Sequence, residues 1–290
     1  MKNLTIQLIL SPFTLRILWQ PRQRIRLFPK VSILLLLVIN FLNLNAFPQG
    51  SKRAFKGGEM LKYQIYYGFI NGGEAVLQVN ELMYENKPAY HLYLNGRTVG
   101  IANTLYNVDD TYESYTDPAT HWPYFSIRNI HEGRYRHYST QVWDHWSRSD
   151  SSIVISSKTG KVVVVKGCQD ILSSVYYLRN KMLTHPPLKP DQIITVDTYF
   201  TDEKYPLIVR FKGYETIKTR FGKVMCMKFM PVVITGRVFK TKDDMTIWFS
   251  NDANLVPIRV RFEIFVGSVY CDLIEYKGLA NEFDSLVKKE

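Results

Sequence analysis

Cysteine is scarce in this sequence, which has 3 in 290 residues. Cys168, Cys226 and Cys271 lie far apart along the chain, so none belongs to the closely spaced pair that is typical of zinc sites. Their odd number leaves at least one thiol unpaired. A bridge between Cys226 and Cys271 across neighbouring strands is one interpretation, and buried free cysteine, the commoner state, is the other.

The motifs that identify common enzyme classes are also missing. The sequence contains no HExxH zinc motif, no GxSxG nucleophile elbow, no phosphate-binding glycine loop and no dinucleotide fingerprint. We therefore predict no catalytic residues, no metal and no cofactor, and we favour a protein that is not an enzyme.

A concentrated basic region is absent from most of the chain, although the formal net charge is +11. Six of the 37 basic residues lie before residue 47, where there is no acidic residue. The remaining 31 exceed the 26 acidic residues by five, and they form no run of lysine and arginine. This balance argues against a nucleic-acid partner.

The chain also lacks an apolar run of the roughly 20 residues that a membrane-spanning helix needs. Its strongest apolar stretch, residues 31–39, follows a basic segment and is soon diluted by asparagines, and Ala46 offers a small residue for cleavage. This layout predicts a secretory signal peptide over residues 1–46 and a single β-rich exported domain over 47–290. The expected location is periplasmic or extracellular, and anchoring through an uncleaved signal is the alternative.

Residues 170–184 form the one stretch after the N-terminus that clearly predicts an amphipathic helix. Apolar side chains recur there at helical spacing, at Ile171, Val175, Leu178 and Met182. Asp170 suits the N-cap position, and Pro186 is expected to stop the helix soon after its last turn.

Strand-like alternation fills the sequence on both sides of this helix. In the first example, one face carries Leu61, Tyr63, Ile65 and Tyr67. Residues 71–73, Asn-Gly-Gly, predict a hairpin turn, and Pro257 is expected at a sheet edge or bulge because it has no N–H. The pattern predicts a mainly β protein: a large curved antiparallel sheet or partly open barrel with one central amphipathic helix.

Four blocks of sequence resemble the domain-of-unknown-function family 3108 of exported bacterial proteins. They are GEMLKYQIYYGFINGGEAVLQV, YNVDDTYESYTDPATHWPYFSIRNIHEGRY, DILSSVYYLRNKML and MTIWFSNDANLVPIRVRFEIFVGSVYCDL, and they lie in this order within residues 55–279. The resemblance implies an exported cell-envelope protein with no established activity. It also implies a bent antiparallel sheet that is similar in shape to the bacterial lipoprotein-carrier proteins.

The densest group of reactive side chains lies between residues 131 and 145. Its candidate metal ligands are His131, His137, Asp144 and His145. On a strand, His131 and His137 share a face but stand roughly 20 Å apart. We therefore interpret the histidines as ordinary surface and turn residues.

Acidic side chains cluster just before this region, at Asp109, Asp110, Glu113 and Asp117. Asp109 and Glu113 share a strand face but lie roughly 13 Å apart, too far for the carboxylate pair of a glycosidase. The simpler expectation is that the acids pair across the sheet with Arg128, Arg134 and Arg136.

Aromatic residues are abundant, with 19 Tyr, 16 Phe and 5 Trp. Aromatic-rich sheet faces either pack into a core or line a ligand cavity. We predict a concave sheet that binds or carries a lipid or another apolar or amphipathic ligand. The residues predicted to contact the ligand are Val175, Tyr176, Tyr106, Tyr112 and Trp248.

Two other functions stay open on the sequence alone. An envelope hydrolase would use Asp109 with Glu113, or His131 with His145, provided that the paired side chains converge in one cleft. A structural module would pair with another envelope protein through an exposed edge strand, such as residues 257–265. The sequence does not indicate an oligomeric state.

Overall fold

The structure is a computed structural model that describes residues 52–231, 245–264 and 266–287. The predicted signal peptide, residues 1–46, lies outside these ranges, so export and cleavage stay predictions.

Fourteen antiparallel strands in the described part of the chain form one nearly closed, barrel-shaped sheet, which confirms the predicted fold class. The sheet order is β8-β7-β6-β5-β4-β3-β2-β1-β14-β13-β12-β11-β10-β9. The first strand of the chain, β1, therefore pairs with the last, β14. The strands are Met60–Tyr67 (β1), Ile70–Tyr84 (β2), Lys87–Thr98 (β3), Asp109–Thr116 (β4), Pro123–Glu132 (β5), Tyr135–Asp144 (β6), Ser151–Ser156 (β7), Gly160–Val165 (β8), Ile193–Phe200 (β9), Glu203–Thr219 (β10), Gly222–Pro231 (β11), Met245–Ser250 (β12), Pro257–Glu263 (β13) and Ser268–Lys277 (β14).

The seam between β8 and β9 is bridged by the segment that follows β8 rather than by β8 itself. The backbone of Gln169 donates to Asp197 and accepts from Tyr199, both at 2.9 Å. Side chains add to the closure, because Ser156 Oγ donates to Asp202 Oδ1 at 2.5 Å. The sheet therefore curls round on itself with a short non-strand bridge in the gap.

The predicted helix is present as α2, Ile171–Leu183, after a short helix α1, Gly100–Leu105, that sequence reasoning did not identify. Asp170 caps α2 as expected, since its Oδ1 accepts from the backbone N–H groups of Leu172 and Ser173, both at 2.9 Å. Its other oxygen accepts from Ser114 Oγ on β4 at 2.5 Å. The cap therefore also fixes the start of the helix against the sheet wall.

Helix α2 is central, because strands from both halves of the sheet pack against it. Leu178 and Met182 join the core of β9 to β12, which includes Phe211 and Phe229. Leu172 and Tyr176 join a separate core made by β2, β3 and the segment before β1. The helix thus divides the interior of the sheet and leaves one of its faces for the cavity described below.

A buried ion pair fixes the middle of α2. Arg179 donates to both carboxylate oxygens of Glu59, at 2.6 and 2.8 Å, and also to the carbonyl oxygens of Ala54 and Asn254. Both charged side chains are at most 1% exposed. One guanidinium therefore connects the helix, the segment before β1 and the β12–β13 turn.

Three local predictions have different outcomes. Pro257 lies at a bulge, as expected, where the β12–β13 register shifts. The predicted hairpin turn at Asn-Gly-Gly is wrong, because residues 71–73 belong to β2. The turn between β1 and β2 lies instead at Gly68, which has φ +57°. The predicted exposed edge at residues 257–263 is also wrong, because β13 pairs with β12 on one side and β14 on the other. Residue 265 lies outside the described residues.

Candidate functional site

An apolar cavity of about 370 Å³ lies between α2 and the sheet. The helix contributes Ile171, Ser174, Val175 and Leu178 to its wall. The sheet side is built by β1–β3 and β10–β14, through Tyr63, Ala75, Leu77, Leu94, Tyr205, Leu207, Val209, Pro231, Met245, Ile247, Phe249, Pro257, Val260 and Cys271. The cavity wall is therefore mostly aliphatic and contains no charged side chain among the described residues.

The few polar atoms of this wall are mostly occupied within the protein. Tyr63 donates its hydroxyl to the carbonyl oxygen of Pro257 at 2.8 Å, and Ser174 donates its own to Ile171 at 2.7 Å. Burial, reinforced by Asp272, raises the pKa of the Cys271 thiol to about 12, so that side chain is uncharged at neutral pH. A ligand body in this cavity would be recognised by apolar contact rather than by charge.

A second cavity of about 340 Å³ adjoins the first, with Ala75 and Leu94 in both walls. Glycine makes room here: Gly96 lines the cavity, and a Cβ built at that position meets no atom within 4 Å. Charge also enters the wall at this point, with Arg97 and Asp110. We call this second cavity the mouth.

The inner wall becomes polar beyond the mouth. One row of directly paired residues crosses five strands in the order Leu77, Leu94, Tyr112, Arg128 and Ser139. Directly paired residues share a face of the sheet. The row therefore leads from the apolar cavity to an arginine within two strands of Leu94, which is roughly 10 Å.

A small third cavity of about 30 Å³ lies at the polar end of this row. Arg128, Ser126, Ser139 and Gln141 line it, and we call it the polar arm. It shares Ile171 with the apolar cavity and Tyr112 with the mouth. Together the three spaces form an amphipathic interior, with a large apolar body and a narrow polar extension.

The structure brings two of the five predicted ligand contacts to these spaces. Val175 lines the apolar cavity, and Tyr112 lines both the mouth and the polar arm. Burial is the main reason that the pKa of Tyr112 is raised, and a hydrogen bond to Arg128 opposes the rise. Contact of either residue with a ligand stays a prediction.

The other three predicted contacts do not line these three cavities. Tyr176 packs on the far side of α2 against Phe55, with ring centroids 4.8 Å apart. Tyr106 is 55% exposed. Trp248 is 4% exposed and donates its Nε1–H to Glu215 at 3.2 Å. Sequence reasoning chose aromatic residues, whereas the apolar cavity is walled mainly by aliphatic ones.

The residues of the hydrolase hypothesis have separate partners. Asp109 accepts from Asn95 Nδ2 at 2.7 Å, and Glu113 pairs with His91 at 2.7 Å. The expectation of a surface position is wrong for His145, which is fully buried with its Nδ1 2.7 Å from Ser152 Oγ. His131 lies opposite Arg136 in the β5–β6 ladder.

The acidic cluster was expected to pair across the sheet with Arg128, Arg134 and Arg136. This expectation is wrong, because no acid of the cluster forms an ion pair with these arginines in the described part of the chain. Arg136 donates to the carbonyl oxygens of Gly133 and Tyr135, and Asp117 accepts from Tyr124 and Thr120. The acids of the cluster are held instead by amide, hydroxyl, imidazole and backbone N–H groups.

Cys168, Cys226 and Cys271 are all free thiols in the structure. Within residues 52–231, 245–264 and 266–287, no three His, Cys, Asp or Glu side chains are placed to hold a metal ion. None of the helices in this described part combines the length and apolar character needed to cross a membrane.

Sequence reasoning missed the cavity wall on β2 and β3, the glycine at the mouth and the arginine in the polar arm. The alternation of Leu92 and Leu94 signals a buried face, but it does not reveal an empty space beside it. Gly96 inside a strand was the available signal, because a strand glycine often marks a close approach or a ligand site.

Comparison with known proteins gives a family and a fold. The sequence profile of a family described as "Protein of unknown function (DUF3108)" matches residues 62–274. A crystal structure of a beta-barrel-like protein of domain of unknown function DUF1849 from Brucella abortus is similar, with a TM-score of 0.51 and 10% sequence identity. That similarity covers 80% of this chain and 100% of the other, and it concerns the fold alone. No curated protein matches the sequence.

Proposed function

The chain belongs to the DUF3108 family, as its four sequence blocks predicted, and we propose that it is a cell-envelope protein that binds an apolar or amphipathic small molecule inside its sheet. The apolar cavity beside α2 is the observation that carries this proposal. Location in the envelope rests on the signal-like layout of residues 1–46.

The size and chemistry of the cavity suit a small apolar molecule. Its volume of about 370 Å³ falls within the roughly 300–1,000 Å³ of small-molecule sites. A well-packed interior has few voids larger than a water molecule, so a space of this size is not an ordinary packing defect. An apolar ligand would gain contact with the aliphatic wall without giving up hydrogen bonds to water.

Filling the cavity is expected to prevent binding. In Val175→Phe, the larger side chain occupies space beside α2, and the affinity for the neutral fluorescent probe N-phenyl-1-naphthylamine should fall at least tenfold, or about 1.4 kcal/mol. Fluorescence titration of the purified protein measures this. Val163→Phe is the matched control, since Val163 lies on β8 and is 41% exposed.

The control variant should bind the probe as the unaltered protein does. Absence of saturable binding by the unaltered protein would contradict the proposal. Equal probe affinity in both phenylalanine variants would place binding elsewhere on the molecule and would contradict it as well.

Narrowing the mouth is expected to slow exchange more than it weakens binding. Gly96→Leu places a side chain in open space at the mouth, where no atom lies within 4 Å of the new Cβ. Leucine also suits a strand better than glycine, so the free energy of unfolding should not decrease. Stopped-flow fluorescence should show at least a threefold fall in both the association and dissociation rates of the probe. Unchanged rates would mean that the ligand enters by another route.

A further inference from the structure

We propose that the natural ligand is an anionic amphiphile whose carboxylate pairs with Arg128 while its chain occupies the apolar cavity. This inference rests on the proposed function and adds the chemical class of the ligand. It is carried by the position of Arg128 and by the described contacts around it.

Arg128 lies on the inner face of β5, in the row that begins in the apolar cavity. Tyr112 separates it from Leu94, and Ser139 follows it on β6. A molecule with its chain beside Leu94 would reach the guanidinium across two strands, roughly 10 Å. This is the separation that a short amphiphile can span.

Arg128 forms no direct ion pair within the part of the chain that the structure describes. No carboxylate among the described residues lies within the 4.0 Å ion-pair distance, and its Nε is buried without a hydrogen-bond partner. Its guanidinium lies over Phe200, 5.2 Å from the ring centroid, and is hydrogen-bonded to Tyr112. A partly buried cation in this setting is stabilised by any anion that reaches it.

The three acids that line the polar arm already have hydrogen-bond partners within the protein. Asp170 accepts from the start of α2 and from Ser114, and Asp202 accepts from Ser156 and Thr159 across the seam. Glu113, the remaining acid of this lining, pairs with His91. Glu132, whose charge acts on Arg128, is hydrogen-bonded to Asp110 and forms no direct ion pair with the guanidinium among the described residues. The guanidinium therefore has no carboxylate in direct contact.

The dimensions of the polar arm indicate the head group. Its volume of about 30 Å³ is near that of one or two water molecules, which suits a carboxylate and is too small for a phosphodiester or a sugar. The planar guanidinium binds carboxylate through two parallel hydrogen bonds. A fatty carboxylate fits both spaces, because its head group suits the polar arm and its chain suits the apolar cavity.

The test compares decanoate with decan-1-ol, which share a chain and differ in charge. Each competes with N-phenyl-1-naphthylamine near neutral pH, where the carboxylate is ionised. The unaltered protein should bind decanoate at least tenfold more tightly than the alcohol. In Arg128→Gln, the affinity for decanoate should fall about tenfold, and the affinities for the alcohol and the probe should change less than threefold.

Arg136→Gln is the matched control, because Arg136 is exposed on the neighbouring strand β6 and donates only to backbone carbonyl oxygens in the described contacts. It should keep the preference for decanoate. Equal affinity of the unaltered protein for acid and alcohol would overturn the head-group inference and leave the apolar cavity as a binding site. A preference for decanoate that survives in Arg128→Gln would overturn the role of Arg128. Failure of the probe itself to bind would overturn the proposed function and this inference together.

Discussion

Replacing Glu59 by alanine is expected to lower the free energy of unfolding by about 3–5 kcal/mol, because it leaves the buried charge of Arg179 without its anion. The guanidinium would keep its bonds to the carbonyl oxygens of Ala54 and Asn254 but lose both bonds to the carboxylate. Urea denaturation of the two proteins measures the difference.

The electrostatics of this pair explain the size of the expected effect. Burial disfavours the charged form of Arg179, but the attraction of Glu59 outweighs burial, and the net result is a raised pKa. Without Glu59 the arginine cannot escape the cost by losing its proton, because its pKa is too high in any setting. The folded state must then carry an unpaired charge in the middle of α2.

Two further variants separate charge from packing. The double variant Glu59→Leu with Arg179→Met removes both charges and should cost less than Glu59→Ala alone. Glu275→Gln breaks the exposed Lys277–Glu275 pair, at 2.8 Å, and should leave the urea midpoint unchanged. A loss of less than about 1 kcal/mol in Glu59→Ala would contradict the account, since it would mean that water or another group replaces the carboxylate.

The helix could be predicted because its signals are local. Asp170 caps the backbone two and three residues ahead, and the apolar side chains repeat within one turn. Closure of the sheet could not be predicted in the same way, because the pairing of β1 with β14 joins residues such as Met60 and Lys277. No spacing rule connects positions so distant in the sequence.

The misplaced hairpin turn has a steric explanation. Asn-Gly-Gly is a strong turn signal, yet these residues run on within β2. A Cβ on Gly73 would stand 2.9 Å from the carbonyl oxygen of Arg97 on β3. The glycine therefore serves the close approach of two strands at the mouth, a requirement that is invisible before the strands are paired.

Only part of the candidate site could be found from the sequence. Val175 could be found because the helical stripe defines one face of α2, and that face borders the apolar cavity. Tyr176 is next in sequence but lies about 100° further round the helix, so it points away from the cavity and packs with Phe55. The opposing wall and Arg128 come from strands whose register appears only in the folded sheet.

Lowering the pH from about 7 to about 4 is expected to destabilise the protein by several kcal/mol through two histidines, the partly buried His121 and the fully buried His145. Burial is the main cause that lowers the pKa of His121 and of His145 from 6.5 to about 4. Each lowered pKa corresponds to a loss of roughly 3 kcal/mol in the free energy of unfolding when the pH reaches about 4. Chemical denaturation at a series of pH values measures the loss.

Each histidine also has a nearby positive charge that lowers its pKa and a nearby negative charge that raises it. For His121, Arg53 adds to the effect of burial, and Asp117 opposes it. For His145, Lys166 adds to the effect of burial, and Asp144 opposes it. The rings are also enclosed by aromatic side chains, with His145 stacked on Trp143 at 5.9 Å between centroids.

The direction of this change in stability with pH follows from proton uptake. Between pH 6.5 and about 4 the unfolded chain binds a proton at each histidine that the folded protein does not bind. The free energy of unfolding therefore falls as the pH falls through this window, and the contribution of the two histidines is fully present above it. Burial raises the pKa of Asp170, which acts in the opposite direction because the folded protein protonates there more readily. A single variant removes this competing contribution from the comparison.

His145→Gln provides that comparison, because it leaves Asp170 and His121 in place. At neutral pH the variant should be less stable, since it disturbs the 2.7 Å contact of His145 with Ser152. From about pH 7 to about pH 4, the stability of the variant relative to the unaltered protein should rise by roughly 3 kcal/mol. A difference that does not change with pH would show that His145 is protonated equally in the folded and unfolded chains, and burial would then not be controlling its charge.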